Sequence, residues 1–471
     1  MHRYLPDLAA QSVPRYTSYP TAVAFAPGIG AAEQVAAQQA IAPGTPVSLY
    51  LHIPYCHEIC WYCGCNTGAT GRPDRVSAYR DALLREIETV GARVRGTAVS
   101  VHFGGGSPNA LAPADWAEIA AGLRSAFDIA PHADWAAELD PRTLSATDAE
   151  AIAAAGIGRA SLGAQTFAPH IQHRINRIQP FRTVAQAAAD LRAAGVARIN
   201  LDLMYGLPDQ RLDDIAATVA QALTLRPDRV AMFGYAHMPR MLPRQRMIDS
   251  ARLPDAEARF WQSALAHDLM LEAGYRAIGF DHFALPGDSI AQAAREGRLR
   301  RNFQGFTDDP ATTVIGLGAS AISQFDTLFV QNEKHSGRYR MLAGNGAPAG
   351  ARARARRRSP ARCRDRTAAV RRHRRCRRRR RRASPAGRGA GRVASRARTA
   401  GRGRARRSRR MARHRAARRP PLRPARRRRV RRLSRAGCRS VQPRGLSDPY
   451  TSRYSARHAP PTPLLNPRRR T

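Results

Sequence analysis

The amino-acid sequence predicts an α/β protein whose core is a barrel of βα units. Short apolar runs alternate with stretches of helical periodicity between residues 47 and 235. Six such units follow one another, each roughly 30–40 residues long, which suits a parallel strand and its crossover helix. Cysteine, glycine and polar residues that suit a binding site fall at the carboxyl ends of the predicted strands. In α/β barrels this end of the strands carries the chemistry.

The elements can be assigned in chain order. Runs of apolar residues predict the strands, and amphipathic stretches predict the helices. The strands and helices alternate over residues 47–53, 76–94, 98–103, 114–127, 135–139, 146–155, 159–164, 182–194, 197–204, 212–225 and 229–235. A helix over 256–272, and loop and strand material over 302–307 and 314–323, are expected to close over the barrel. The predicted fold is a partial (β/α)6 barrel of the TIM type, open or closed.

Positive charge is concentrated at the C-terminal end of the chain. The 471 residues include 79 basic and 35 acidic ones, a formal charge of +44. Residues 351–471 hold 47 arginines, no lysine and two acidic residues, which leaves 32 basic and 33 acidic residues before them. The first 350 residues therefore form a nearly neutral body. Periodicity stops near residue 350, and we expect an Arg-rich tail of this composition to be disordered.

The composition of the tail indicates a frameshift. Basic tails usually mix Lys with Arg, whereas this one combines Arg with Ala, Gly, Pro and Ser. Codons made only of G and C encode Arg, Ala, Gly and Pro, so a change of frame between residues 343 and 352 of a GC-rich gene explains the tail. We expect a lead-in segment over 1–46, the barrel and its closing segments over 47–345, and the tail over 346–471.

Cysteine usage and hydropathy indicate a cytoplasmic protein. The first twenty residues lack the apolar core of a secretory signal, and no apolar run of about 18 residues could span a membrane. Four of the seven cysteines lie within ten residues. Such crowding differs from a disulfide framework and is typical of a metal or cluster site in a reducing compartment.

The cysteine-rich loop is the strongest chemical signal. Cys56, Cys60 and Cys63 follow the first predicted barrel strand with the spacing C-x3-C-x2-C. Three thiolates on one short loop can hold a four-iron cluster and leave one iron open to a small chelating ligand. A structural zinc knuckle is the alternative, although zinc ribbons use C-x2-C pairs.

This loop resembles that of the radical S-adenosylmethionine (SAM) superfamily, and a wider set of motifs resembles the oxygen-independent coproporphyrinogen III oxidases. The resemblance runs from about residue 3 to about residue 345. The motifs that carry it lie at residues 14–21, 50–56, 63–65, 103–108, 138–141, 200–208, 235–239, 279–283 and 301–305. Together these motifs are highly specific for that family, whereas on its own only the cysteine loop is a specific signal.

The resemblance implies cofactor ligands residue by residue. Cys56, Cys60 and Cys63 would hold a [4Fe-4S] cluster, while Cys65 would be characteristic of this branch without binding iron. The family binds two SAM molecules. Contacts to the first would come from Tyr50, Gly105 and Glu138. Contacts to the second would come from Tyr62, Gly106, Ser107, Gln165, Arg177, Asp202, Ala236 and Ile322. Ser107 stands where Thr is usual and keeps the hydroxyl.

The resemblance also implies the reaction. A 5′-deoxyadenosyl radical would abstract hydrogen from two propionate groups of coproporphyrinogen III, which lose carbon dioxide and become the vinyl groups of protoporphyrinogen IX. It further implies a monomeric enzyme, reduced by a donor such as flavodoxin or ferredoxin. From the residues themselves we expect no specific nucleic-acid partner and no membrane partner, because the tail holds no recognition motif with interleaved aromatics and no apolar run is long enough to span a bilayer. No catalytic side chain is assigned. Arg15 and Arg301 are candidate clamps for the substrate carboxylates.

Other readings of the sequence stay open. Related radical SAM proteins bind or carry haem, although they typically lack the lead-in motif at residues 14–21 and the cysteine at position 65. The tail would bind polyanions non-specifically. The family has a helical C-terminal domain whose place the tail takes, so the chain could also be an inactive product.

Overall fold

The protein is described by a computed structural model over residues 2–9, 25–27, 30–302 and 305–355. The predicted disorder of the Arg-rich tail beyond residue 355, the motif at 14–21 and Arg15 lie outside the described residues. Among the described residues, no helix is both long enough and apolar enough to cross a bilayer.

Helices and strands alternate along the described part of the chain. The helices are α1 (Pro6–Ala9), α2 (Ala31–Gln39), α3 (Pro73–Gly91), α4 (Pro113–Ala126), α5 (Ala146–Ala154), α6 (Pro169–Arg174), α7 (Phe181–Ala193), α8 (Leu212–Thr224), α9 (Ala256–Glu272), α10 (Ser289–Glu296) and α11 (Ser336–Gly344). The strands are β1 (Ala26–Pro27), β2 (Pro46–Ile53), β3 (Tyr55–Cys56), β4 (Gly68–Ala69), β5 (Thr97–Gly105), β6 (Asp128–Leu139), β7 (Arg159–Gln165), β8 (Arg198–Tyr205), β9 (Arg229–Gly234), β10 (Arg276–Ile278), β11 (His282–Ala284), β12 (Arg300–Arg301), β13 (Phe306–Thr307), β14 (Thr313–Leu317), β15 (Ile322–Gln324), β16 (Leu328–Asn332) and β17 (Gly350–Ala355).

The main sheet confirms the predicted α/β fold. Strands β2, β5, β6, β7, β8 and β9 are parallel neighbours in that order. Strand β14 adds a further parallel strand beside β2, and antiparallel strands extend the sheet at both ends. Since β14 and β9 lie at opposite ends of the parallel part of one strand order, the barrel is open rather than closed.

Side-chain alternation along β2 separates the core from the barrel interior. Leu49, Leu51 and Ile53 are fully buried in the main apolar cluster, which also includes Leu83 and Ile87 of α3. The residues between them, such as Tyr50 and His52, point to the other face because successive strand residues alternate. The barrel interior is therefore polar along the strands that carry the site.

Strand β6 is longer than the sequence predicts. We expected it to begin at residue 135, but its pairing with β5 starts at the Thr97–Asp128 register pair. The first half of β6 reads Asp-Ile-Ala-Pro-His-Ala-Asp, which lacks an apolar alternation. Ile129 and Ala133 pack partly buried against the main apolar cluster, but the pairing with β5 shifts register between Ala98 and Ser100, so no regular alternation marks this half of the strand.

The closing segments are held by a buried carboxylate. Glu86 of α3 accepts hydrogen bonds from the backbone N–H of Gly318 (2.6 Å), the hydroxyl of Tyr339 (2.7 Å) and Nδ2 of Asn332 (2.8 Å). Burial raises the pKa of Glu86 to about 7, although these three donors oppose the shift. Four separate stretches of chain meet at this one side chain.

The last described strand covers residues that the sequence analysis assigned to the tail. Strand β17 pairs antiparallel with β16 and with β1. The N–H of Gly350 donates to Oε1 of Gln34 (2.9 Å), and Ala353 is buried. Strand β17 therefore belongs to the main sheet, although its residues fall within the predicted tail.

Candidate functional site

The three cysteines lie on one loop at the carboxyl end of the first barrel strand. Cys56 ends β3, directly after β2, and Cys60 is buried, whereas Cys65 is exposed. The loop is anchored across the barrel mouth. The N–H of Trp61 donates to the carbonyl of Ile175 (3.0 Å), and Nδ2 of Asn176 donates to the carbonyl of Ile59 (3.0 Å). These two hydrogen bonds fix the loop to the segment that follows α6.

Two guanidinium groups converge on the Sγ of Cys60. Nη1 of Arg177 lies 3.3 Å from this sulfur and Nη2 of Arg142 lies 3.4 Å from it. Both arginines also pair with Asp140, at 3.2 Å and 2.7 Å. The pKa of Arg177 is raised, because its anionic neighbours outweigh the burial that opposes its charge. Arg177 therefore stays cationic beside the thiol.

The other two thiols have different environments. Burial raises the pKa of Cys56 to about 11, although a contact of 3.1 Å with Oγ1 of Thr67 opposes the shift. The pKa of Cys63 is lowered to about 6, chiefly by a hydrogen bond from the Cys65 side chain, with help from the charge of Arg244. Binding to a metal deprotonates a coordinating thiol outright, so both groups can serve as ligands.

A second cluster of polar side chains lies beside the loop, on β2, β5 and β6. The Tyr50 ring stacks on His102 with centroids 6.0 Å apart, and its hydroxyl lies 3.1 Å from Nδ1 of His52. Nε2 of His102 lies 3.1 Å from Oε1 of Glu138. Burial opposes ionisation of Glu138, but His102 and the N–H of Gly105 hold its pKa below the ordinary value. Glu138 is thus an anion facing the barrel interior.

The glycine turn after β5 leaves room that side chains would fill. Gly105 has a φ of +113°, where L residues are strained, and a Cβ there would lie 2.9 Å from the His52 ring. A Cβ on Gly106 would lie 2.4 Å from Oγ1 of Thr67 and 2.5 Å from the carbonyl of Tyr55. Only glycine at these positions brings the turn into close contact with the cysteine loop.

The residues expected to hold the second SAM are spread along the rim of the barrel. Ser107 is buried and donates to Oδ1 of Asn109 (2.7 Å), and Gln165 ends β7 with a φ of +63°. Ala236 follows β9, and its carbonyl and that of Tyr62 both accept from Nε2 of Gln245. One buried amide thus joins two predicted site residues from distant parts of the chain.

Asp202 and Ile322 lie on opposite parts of this rim. Asp202, on β8, accepts from Oγ of Ser161 (2.9 Å) and from Nδ2 of Asn200 (2.8 Å). Burial and the charge of Glu138 raise the pKa of Asp202 to about 6. Ile322 begins β15, and its backbone packs against Gly316, the register partner of Tyr50. Ile322 therefore lies on the same side of the barrel as the residues expected to hold the first SAM.

Sequence reasoning missed several residues of this site. His52 lies two residues after Tyr50 on β2, and His102 is the register partner of Tyr50 on β5, so strand periodicity could have shown that both face the interior with it. Arg142 and Asp140 follow Glu138 in one short run. Arg244 lies in a short 3-10 turn, and no pattern in the sequence points to it.

The donor set fits an iron–sulfur cluster with a polar ligand beside it. Three thiols on one loop suit a cubane that keeps one open iron, and adjacent guanidiniums stabilise its negative charge. Within the described part of the chain, Nε of Arg177, Nη1 of Arg244 and Oδ1 of Asn200 are buried without a hydrogen-bond partner. Two of these atoms lie beside the cysteine loop and one lies on β8, and a polar cofactor would satisfy unmet polar atoms of this kind.

The fold and the cysteine loop define the class of protein. The sequence profile of the Radical SAM superfamily matches residues 50–222. That stretch contains the glycine turn, Glu138 and the three cysteines. The match therefore favours the iron–sulfur interpretation of the loop over a zinc knuckle.

Comparison with individual proteins narrows the class. The chain is 47% identical over 338 residues to an oxygen-independent coproporphyrinogen III oxidase of Bradyrhizobium diazoefficiens, covering 71% of this chain and 75% of that one. It is 40% identical over 343 residues to the protein of that name from Pseudomonas aeruginosa, covering 71% and 74%. The solved coproporphyrinogen III oxidase of Escherichia coli, a radical SAM enzyme, matches with a TM-score of 0.69 and 36% identity over 73% of this chain and 79% of that one. The chain belongs to the family of oxygen-independent coproporphyrinogen III oxidases.

Proposed function

We propose that this protein converts coproporphyrinogen III to protoporphyrinogen IX without oxygen, by oxidative decarboxylation of two propionate groups to vinyl groups in haem biosynthesis. One observation carries the proposal: the cysteine loop, held by Arg177, meets the Gly104–Gly106 turn and Glu138 at one end of the barrel. The family relationship, at 40–47% identity to proteins named for this reaction, gives the substrate.

The residues of the site divide the task of holding the cofactors. Cys56, Cys60 and Cys63 would bind a [4Fe-4S] cluster. Tyr50, Gly105 and Glu138 would hold one SAM, and the rim residues Tyr62, Gly106, Ser107, Gln165, Arg177, Asp202, Ala236 and Ile322 a second. When bound, the reduced cluster and SAM supply a carbon-centred radical that can abstract hydrogen from a propionate side chain.

The chain's own groups orient these molecules and keep the site dry. The ionised carboxylate of Glu138 suits an ammonium or hydroxyl donor, and the oxygens of Asp202 suit hydroxyl donors of a second ligand. The cationic Arg177 stabilises negative charge at Cys60. The apolar cluster behind β2 and β5 excludes water from the back of the site, which strengthens each electrostatic contact within it.

The remaining partners follow from the same proposal. The reaction needs a one-electron donor, for which a flavodoxin or a ferredoxin is suited, and the protein is proposed to act as a monomer in the cytoplasm. No side chain is assigned to catalysis itself.

The ligand set can be tested by anaerobic reconstitution of the full chain with iron and sulfide. Single alanine variants of Cys56, Cys60 and Cys63 should lose the visible absorbance of the cluster. The matched variant Cys65→Ala should keep it, because Cys65 is not proposed as a ligand and its backbone N–H, which lies 3.3 Å from Sγ of Cys63, remains in the variant. Cluster absorbance retained in Cys60→Ala would refute the assignment.

The reaction can then be tested on the parent chain. Equilibrium dialysis should find two SAM molecules per cluster-loaded chain, and Asp202→Asn should weaken one of the two sites. Incubation with coproporphyrinogen III, SAM and a reductant should release carbon dioxide and form protoporphyrinogen IX. SAM cleavage without decarboxylation would instead support the haem-handling alternative.

A further inference from the structure

A groove runs along the outer side of the cysteine loop. Its volume is about 710 Å³, and it is open to solvent. Three stretches of chain line it: Glu58, Ile59 and Trp61 of the cysteine loop, Ile178 after α6, and Arg244 and Met247 of the 3-10 turn. We call this cavity the outer groove.

The outer groove lies next to the residues proposed to bind the cluster. Ile59 and Trp61 flank Cys60 directly in the chain. Ile178 follows Arg177, whose Nη1 lies 3.3 Å from the Sγ of Cys60. A donor seated in this groove would therefore lie beside the residues that flank Cys60. Such closeness matters because the rate of electron transfer falls off steeply with distance.

The walls of the outer groove expose large apolar side chains. Ile178 is 57% exposed, Met247 59% and the nearby Met241 59%. Single exposed apolar residues are ordinary, but Ile178 and Met247 on the groove walls, with Met241 on the segment that leads into the same turn, form a group typical of a docking surface. Methionine side chains are adaptable and recur at surfaces that bind other proteins.

Positive charge also lies on the segment that lines the groove. Arg246 belongs to the 3-10 turn that supplies Arg244 and Met247, and Arg240 precedes this turn by three residues. Both are exposed, and within the described part of the chain neither has an ion-pair partner. Glu58 is the acidic residue in the groove, and Arg142 neutralises it at 2.8 Å. Since the first 350 residues are nearly neutral overall, this excess of positive charge is a local feature. It would attract an acidic partner and speed its association.

The segment that carries these side chains is fixed in place. Gln245 is buried and donates to the carbonyls of Tyr62 (2.9 Å) and Ala236 (3.2 Å). Nη2 of Arg244 donates to the carbonyl of Thr67 (2.9 Å). The exposed residues between these anchors are therefore presented in a defined arrangement, which lowers the entropy lost on docking.

We propose that the outer groove docks an acidic one-electron carrier protein of the flavodoxin or ferredoxin type, which reduces the cluster. The inference rests on the proposed function, since only a cluster needs such a partner. In the step, the carrier loses one electron and the cluster gains it. No bond is made or broken.

A purified flavodoxin is the probe, and the full chain is the target. The double variant Arg240→Glu/Arg246→Glu should raise the Kd for flavodoxin about tenfold or more, equivalent to about 1.4 kcal/mol. The matched variant Arg95→Glu/Arg276→Glu makes the same charge change at exposed arginines beyond the groove. Any general attraction of flavodoxin to the arginine-rich tail is the same in both variants.

Cluster reduction gives a second measurement. Flavodoxin-driven reduction should slow in the groove variant, while reduction by dithionite, which needs no docking surface, should stay unchanged. Equal effects of the two double variants on binding would overturn the proposal, as would a raised KM for the porphyrinogen with unchanged flavodoxin affinity. Failure to assemble a cluster would count against the proposed function alone, because flavodoxin binding can still be measured on the cluster-free chain.

Discussion

Arg177 joins Cys60 to Asp140 across the mouth of the barrel. Its Nη1 lies 3.3 Å from the thiol sulfur, and its Nη2 lies 3.2 Å from a carboxylate oxygen of Asp140 and 2.6 Å from the carbonyl of Gly163. The side chain is 7% exposed. One buried cation therefore fixes the cysteine loop against β6 and β7.

Removing this cation should destabilise the fold. Arg177→Ala leaves a buried carboxylate with Arg142 as its remaining partner, and we expect a loss of roughly 3 kcal/mol in the free energy of unfolding. Urea titration of the cluster-free chain measures this. The control Arg174→Ala removes an exposed arginine paired with Asp209 and should cost about 0.5 kcal/mol or less. Similar losses in the two variants would show that the buried pair has no special role.

The glycine turn should tolerate no side chain at its last position. A Cβ at Gly106 would overlap Oγ1 of Thr67 and the carbonyl of Tyr55, so Gly106→Ala should displace the cysteine loop at a cost of about 1–3 kcal/mol. Iron bound per chain after reconstitution should fall. Gly68→Ala lies near the same loop, where a Cβ meets nothing within 4 Å, and should bind iron like the parent. Normal iron content in Gly106→Ala would contradict the overlap.

The negative charge of Glu138 should matter for the first SAM. Glu138→Gln keeps the shape of the side chain but loses its charge, so SAM should bind about tenfold more weakly through loss of a charge-assisted hydrogen bond. The measurement is equilibrium binding of SAM to the cluster-loaded chain. Glu150→Gln changes an exposed carboxylate of α5 and serves as the control. Unchanged affinity in Glu138→Gln would remove this residue from the proposed site.

Glu86 should make stability depend on pH. Its pKa is raised from 4.5 to about 7 in the folded protein, so the folded chain holds this proton more tightly than the unfolded chain. The free energy of unfolding should therefore fall by about 3 kcal/mol as the pH rises through this range. Denaturant titrations at several pH values should show this slope in the parent and in Glu150→Gln, and a clearly smaller one in Glu86→Gln, where the raised pKa of Asp202 still contributes. A parent stability that does not vary with pH would refute the prediction.

The sequence was sufficient to predict the barrel because each unit repeats one pattern. Strand β2 shows why. Its residues Val47–Ile53 are all buried, as expected for a strand covered on both faces, and the long helix α3 follows it. The short strands β10 and β11 gave no such signal, because three residues carry too little periodicity.

The site was only partly predictable for a related reason. A spacing of cysteines is visible in one dimension, so Cys56, Cys60 and Cys63 could be grouped from the sequence. Cys60 is approached by two arginines, Arg142 and Arg177, that also pair with Asp140. Arg142 lies 82 residues from Cys60 in the chain. Such contacts depend on how strands are ordered in the sheet, which local patterns do not encode.

The pairing of β17 has a consequence for how the gene can change. Its ladder bonds to β16 and β1 use backbone groups, and its Ala-Arg alternation turns the small Ala353 inward while Nη2 of Arg352 reaches the carbonyl of Phe25 (3.0 Å). Backbone hydrogen bonds do not depend on which side chains the codons specify, provided that a small residue occupies every second position, where the side chain turns inward. This part of the sheet can therefore form even when the codons of β17 change.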